Sequence, residues 1–155
     1  MIATFLPVSR SGRGNARPCA SAWCRSRYPD AWTITADTIV SFNGRCVAKP
    51  ASLDEAAQFL RNFSGQAQVV FTAVAMRSPG REPETDVVES TVTFKTLKED
   101  VIREYLGRVN PLDKAGAYDI DQHGDLIIDS FSGSYTNIMG LPRETVAAWL
   151  ARQGF

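Results

Sequence analysis

From Trp32 onward, the pattern of apolar and polar positions divides the chain into short, well-marked elements. Trp32 to Ile34 reads as a strand that delivers Asp37 at its end, and Thr38 to Phe42 reads as a second strand. Asn43-Gly44 predicts a tight two-residue hairpin turn, with Arg45 to Val47 as its return. Ser52-Leu53-Asp54-Glu55 is a capping box, and Leu53, Ala56, Ala57 and Leu60 follow on one face at helical spacing. Phe63 continues that face, and Gly65 supplies a stop. Gln68 to Met76 is β-rich and almost continuously apolar, which predicts a buried strand. After a turn at Ser78 to Pro83, Val87 to Phe94 alternates, with Val88, Ser90, Val92 and Phe94 on one side, as an antiparallel partner would. Thr96-Leu97-Lys98-Glu99 repeats the capping-box spacing and opens a helix with Val101, Ile102, Tyr105 and Leu106 inward and Gly107 near its end. Leu126 to Phe131 reads as a short strand. Pro142 and Gly154 frame a closing helix with Val146, Ala147 and Leu150 inward.

Composition changes this picture little. At 155 residues, 44% hydrophobic and 22% charged, the chain suits one soluble globular domain. Seventeen basic and seventeen acidic residues cancel, so the total charge points to neither nucleic acid nor membrane as a partner. No apolar run approaches the length of a transmembrane helix, and the expected location is cytoplasmic. Cys19, Cys24 and Cys46 are odd in number and lack metal-ligand spacing, which argues against a disulfide framework.

Charge distribution changes it more. Residues 1 to 28 hold Arg10, Arg13, Arg17, Arg25 and Arg27 and no acid, which leaves 12 basic against 17 acidic residues in the remainder, a formal −5. The segment is also rich in Ser and Cys and shows no stable hydrophobic period. A transit peptide, a disordered basic tail and a non-native start all fit this composition. The division expected is an atypical basic segment over 1–28 and one domain over 29–155. A strand in the first segment would need an apolar run, and only Ile2 to Val8 offers one; Pro7 demotes it to an edge.

Candidate chemistry gathers in two stretches. In the first, the hairpin can bring Asp37 and Lys49 to one pocket despite the residues between them. A carboxylate for a divalent cation beside a lysine for a phosphate suits phosphate-ester chemistry. Taken alone, the stretch favours the plainer alternative of a surface aspartate, a turn and a solvated lysine. The second runs from Asn110 to Pro142, glycine-punctuated and interleaved with aromatic and aliphatic residues, a composition that suits an ordered functional loop. Lys114 lies there beside Ala115-Gly116, small residues that let backbone approach a bulky anion. Asp121 and Asp125 read either as added metal ligands or as solvated loop acids. His123 is the one histidine in the chain, and reads as a surface loop residue rather than a base.

Together these stretches carry a resemblance. Ala36-Asp37-Thr38-Ile39-Val40, Lys49-Pro50, Ser64-Gly65 with Thr72 and Val74, and Thr91-Val92-Thr93-Phe94 occur in order. Asp113-Lys114-Ala115-Gly116-Ala117-Tyr118 and Gly133-Ser134-Tyr135-Thr136-Asn137-Ile138-Met139-Gly140-Leu141-Pro142 complete the set. Residues 36 to 142 thereby resemble the Maf-like proteins, nucleoside triphosphate pyrophosphatases once described as septum formation inhibitors. The resemblance implies an α/β fold of the Maf/inosine-triphosphatase-like kind: an elongated, curved mixed sheet with flanking helices and a central cleft. It implies hydrolysis of nucleoside triphosphates, pyrimidine or modified, between the α and β phosphates, dependent on Mg2+ or Mn2+, in a homodimer. It further implies that Asp37 holds the metal or orients the attacking water, that Lys49 and Lys114 bind phosphate oxygens, and that Thr38 and Asp121 contact substrate.

The sequence also departs from the family. Members begin with a strand and a phosphate-binding Ser-x-Ser-Pro-Arg-Arg turn, then an acidic residue and a helix carrying another lysine. No Ser-Pro-Arg-Arg occurs here, Ser21 to Asp30 resembles only the end of that helix, and near Ala20 the lysine is absent. The family's glutamine after Tyr-x-Ile is Asp121, and its histidine after Ser-Gly-x-x is Gln68. The expectation is therefore that residues 1 to about 25 do not form the first strand and phosphate turn, leaving that strand absent or degraded. Each lost charge-assisted contact would cost about 1.5–3 kcal/mol. Two functions stand: a metal-dependent nucleotide pyrophosphatase, and a truncated, catalytically impaired nucleotide-binding or dimerising protein.

Overall fold

The computed structural model describes residues 27–155; the expectations for Ile2 to Val8, and for residues 1 to about 25 as a whole, lie outside them. Five strands form one sheet: β1 (Thr33–Phe42), β2 (Arg45–Val47), β3 (Ala67–Arg77), β4 (Glu84–Phe94) and β5 (Ile128–Ser132), in the order β2-β1-β3-β4-β5. Four helices accompany it, α1 (Leu53–Phe63), α2 (Glu99–Arg108), α3 (Gly124–Ile127) and α4 (Tyr135–Ile138), with a 3-10 turn at Ala115–Ala117. A closing helix, α5 (Arg143–Arg152), ends the described chain. The α/β architecture with flanking helices agrees with the expectation. Every strand pairing among the described residues is antiparallel, however, so the mixed sheet expected is an antiparallel one there.

The first correction bears on the site. Trp32 to Phe42 does not break at Asp37: β1 is one strand of 10 residues, in continuous register with β3 from Thr33 opposite Arg77 to Ser41 opposite Val69. A strand this long is rigid in its pleat, so alternate side chains are committed to opposite faces. The even positions Ala36, Thr38 and Val40 share a face with Val70, Thr72 and Val74 of β3, and that face is covered. The odd positions Asp37 and Ile39 share the other with Phe71 and Ala73, and Ile39 and Ala73 are exposed. The hairpin after β1 forms as the sequence predicts. Asn43 and Gly44 both take positive φ, 51° and 74°, which a primed turn requires.

The first capping box forms as well, with the Ser52 hydroxyl accepting from the Glu55 N–H at 3.2 Å and a Glu55 carboxylate accepting from the Ala51 N–H. The second does not. The Leu97 N–H is taken by the Ser64 hydroxyl at 2.7 Å, which ties this entry to the end of α1, and α2 begins only at Glu99 with Lys98 as an N-cap lacking a side-chain bond. In the closing helix the inward face is Val146 and Trp149, with Leu150 half-buried and Ala147 exposed. The indole covers more of the sheet than an alanine can, and its N–H finds the Glu84 carboxylate at 3.0 Å. Pro142 is the N-cap of that helix rather than its first residue. The strand expected from Leu126 begins at Ile128, preceded by the single helical turn α3.

Buried side chains form two clusters. The larger unites Val40, Leu60, Phe63, Val70, Val92, Phe94, Ile102, Tyr105, Tyr118 and Ile127, between the sheet and helices α1 and α2. The smaller unites Val74, Met76, Val146 and Trp149 under α5. At that end the buried Arg77 guanidinium donates to the carbonyl oxygens of Tyr28, Pro29 and Ala31, at 2.6 to 3.3 Å, fixing the entry into β1.

Candidate active site

Between the two clusters the covered face of the sheet opens into a cleft of about 340 Å3. It is lined by Thr38 from β1, by Lys49 after β2, by the Asp113–Ile120 segment, and by Ile138, Met139 and Gly140 at the end of α4. Lys49 and Lys114 meet here because their segments are joined. The Gly116 N–H donates to the Ala48 carbonyl at 3.2 Å, one residue before Lys49 and two after Lys114. Gly116 takes φ 75°, a left-handed conformation that favours glycine, while a Cβ there would meet Val40 and the Tyr118 ring at ordinary contact distance. The buried Ala117 is left-handed too, at φ 64°, a conformation that costs a non-glycine residue free energy and that concentrates at functional sites.

Lys114 is held between two acids, 3.2 Å from the Asp113 carboxylate and 3.5 Å from that of Asp119. Partial burial works against its charge, but the two carboxylates outweigh that and keep its pKa above the ordinary lysine value. Asp119 is itself fixed at both ends. Its backbone N–H donates to the Tyr105 hydroxyl at 2.9 Å, and its side chain accepts from the Asp121 N–H and the Gln122 amide. Burial pushes the Tyr105 phenol up to about 12, so it stays neutral across the physiological range and keeps this anchor. Burial raises the Tyr118 phenol as well.

The wall at Ile138–Gly140 rests on a polar network beneath the cleft. The Thr38 and Thr72 hydroxyls lie 2.9 Å apart, and Thr72 donates to the Asn137 carbonyl at 3.1 Å. The fully buried Asn137 amide donates to the Ser90 hydroxyl at 2.9 Å and the Val70 carbonyl at 3.2 Å. Gly133, at φ 91°, allows the chain to pass Ser90; a Cβ there would come within 2.7 Å of the Ser90 oxygen.

Of the residues expected from sequence, the structure brings Thr38, Lys49 and Lys114 to one cleft. It does not bring Asp37 or Asp121 to the lining. Asp37 sits on the other face of β1, with one carboxylate oxygen buried and without a hydrogen-bond partner. Burial raises its pKa, and the Thr38 N–H partly offsets this. Asp121 accepts a bond from the Tyr135 hydroxyl, outside the cleft. His123 is exposed and left-handed, at φ 55°. Asp113, Tyr118, Asp119 and Met139 also line the cleft; the first, second and fourth stand in the motifs that carry the resemblance without an assigned role, and Asp113 and Asp119 had the further signal of being acids within the Lys114 stretch. Among the described residues no three His, Cys, Asp or Glu side chains are grouped to hold a metal.

Against this geometry, the family model described as Maf-like protein matches residues 7–153. The chain belongs to the Maf-like family. The match starts inside the segment that composition set apart. Among curated relatives, the dTTP/UTP pyrophosphatase of Myxococcus xanthus is 40% identical over 147 residues, covering 95% of this chain and 71% of the relative. Those of Akkermansia muciniphila and Syntrophus aciditrophicus are each 40% identical, covering 91% and 82% of this chain and 74% and 62% of theirs. This Maf-like chain thus spans roughly two-thirds of the length of the relatives it matches. No helix among its described residues is long and apolar enough to cross a membrane.

Proposed function

We propose that this Maf-like chain hydrolyses pyrimidine nucleoside triphosphates, dTTP and UTP foremost, to the monophosphate and pyrophosphate. The observation that carries the reading is the meeting of Lys49 and Lys114 in one cleft, in a chain whose relatives are named for that reaction. In the reaction a water oxygen bonds to the α-phosphorus, the bond from that phosphorus to the α–β bridging oxygen breaks, and pyrophosphate leaves. Little covalent chemistry falls to the protein, which acts chiefly by positioning and by neutralising charge. Lys49 and Lys114 would bind phosphate oxygens, and the Thr38 hydroxyl would donate to one. The Lys114 ion pairs, part-exposed and worth about 0–1 kcal/mol each, yield readily to a polyphosphate.

A divalent cation belongs to the same proposal. Asp113 and Asp119 border the cleft, whereas Asp37, on the other face of β1, stands apart from them. Magnesium is commonly held by one or two carboxylates, with phosphate oxygens and waters completing the shell, so this donor set fits an ion shared with the substrate better than a protein cage. Such an ion supplies charge neutralisation at the phosphates. Homodimer formation and a cytoplasmic location, both implied by the family, go with this reading; sedimentation equilibrium checks the first.

Pyrophosphate release from dTTP and UTP, with magnesium and with a chelator, tests the reaction. Lys49→Ala and Lys114→Ala should each lower kcat/KM about tenfold or more, the loss of one charge-assisted contact. Release at the wild-type rate in both variants would mean that the cleft is not the site.

A further inference from the structure

Next to the lysine cleft lies a second, more open groove of about 410 Å3, between the segment Ile120–Asp125, strand β5 and the start of α4. Ile120 lines both, so the two grooves adjoin at one side chain. The groove carries an aromatic pair, Phe131 and Tyr135, with ring centroids 5.5 Å apart. Both rings are exposed, at 46% and 36%. The Tyr135 hydroxyl is tethered by Asp121, which holds its ring in place. Two adjacent exposed rings are a costly surface to leave to water, and a planar π-face is the partner they suit. The other groups on the groove include the carboxylates of Asp125 and Asp129.

We propose that this groove is the subsite for the base of a uracil or thymine nucleotide whose phosphates occupy the lysine cleft; the inference rests on the function proposed above. Charge sets the direction of binding. The ammonium groups of Lys49 and Lys114 draw the polyphosphate to one side of Ile120, and the acids of the groove repel it from the other. Uracil and thymine carry an N3–H donor that a carboxylate accepts, and their faces stack on an aromatic ring. The ribose then crosses Ile120.

Calorimetric titration of the full chain with UTP and with inorganic tripolyphosphate tests this, in the wild type and in Phe131→Ala. Base–aromatic stacking of ordinary strength predicts that the variant binds UTP about tenfold more weakly. Its affinity for tripolyphosphate should stay unchanged, which also shows that the exposed substitution leaves the fold intact. Unaltered UTP affinity in Phe131→Ala overturns the subsite and leaves the phosphate cleft standing. An equal loss for both ligands overturns it too, because the ring would then support the phosphate site rather than the base. A wild-type chain that takes up neither ligand overturns the phosphate cleft itself, and the subsite with it.

Discussion

One carboxylate oxygen of Asp37 is sealed from water with no donor to meet it, and an acid in that position is disfavoured in its charged form. Burial lifts its folded pKa above the ordinary value of 3.8, against the smaller opposing pull of the Thr38 N–H. With the folded pKa above the unfolded one, the native state holds the proton more tightly, so the contribution to stability falls as pH rises between the two values. The penalty is complete above the folded pKa and absent below the unfolded one. Asp37→Asn should therefore melt no lower than the wild type at pH 7, with any gain fading as pH falls toward 3.8; scanning calorimetry over a pH series reads this. Because Asp37 lies on the face of β1 away from the lysine cleft, the same variant should keep metal-dependent pyrophosphate release. Lost turnover with the fold intact would place the reacting phosphates on the Asp37 side of the strand instead. At this scale the lysines are legible in the sequence, since each sits in a short motif flanked by Pro or Gly. The direction of Asp37 is not, because it follows from β1 being one unbroken pleat, and a propensity reading places a break at that residue.

At the scale of elements, the hairpin, α1 and the β3–β4 pair are legible because local rules decide them: a primed turn, a capping box and a clean alternation. The second capping box and the inward face of α5 are not legible, because partners distant in sequence decide them. Ser64 captures the Leu97 N–H, and Trp149 outcompetes Ala147 for the sheet. The least legible element is α4, a single turn whose position depends on Asn137 reaching two different strands, β3 at Val70 and β4 at Ser90. Asn137→Ala should cost about 1–3 kcal/mol in denaturant unfolding, since it strands buried partners of the amide. It should also weaken tripolyphosphate binding, because the cleft wall at Ile138–Gly140 follows directly from α4. Full stability together with full affinity would show that the carboxamide does not hold that wall.

At the scale of the whole fold, the division of the described residues into two buried clusters has a dynamic consequence. The cleft rests on the larger cluster, which contributes Val40, Val70 and Tyr118 to its lining. The smaller cluster has four buried members, and α5 depends on it. Between them runs the polar belt of Thr38, Thr72, Asn137 and Ser90, whose hydrogen bonds fix geometry but add little net stability compared with apolar burial. Regions with fewer buried apolar contacts open at lower free energy than the global core. Native-state hydrogen exchange should therefore show the amides of α5 exchanging through a smaller opening than those of α1 and the centre of β3. Trp149→Ala sharpens the test, because it removes the largest side chain of the small cluster and leaves the larger one untouched. Its cost, about 3–5 kcal/mol for a buried tryptophan, should appear as faster exchange in α5, with protection in α1 and tripolyphosphate affinity close to wild type. Equal acceleration in α1 and α5 would mean that the two clusters unfold as one unit, and that the cleft is stabilised from both sides.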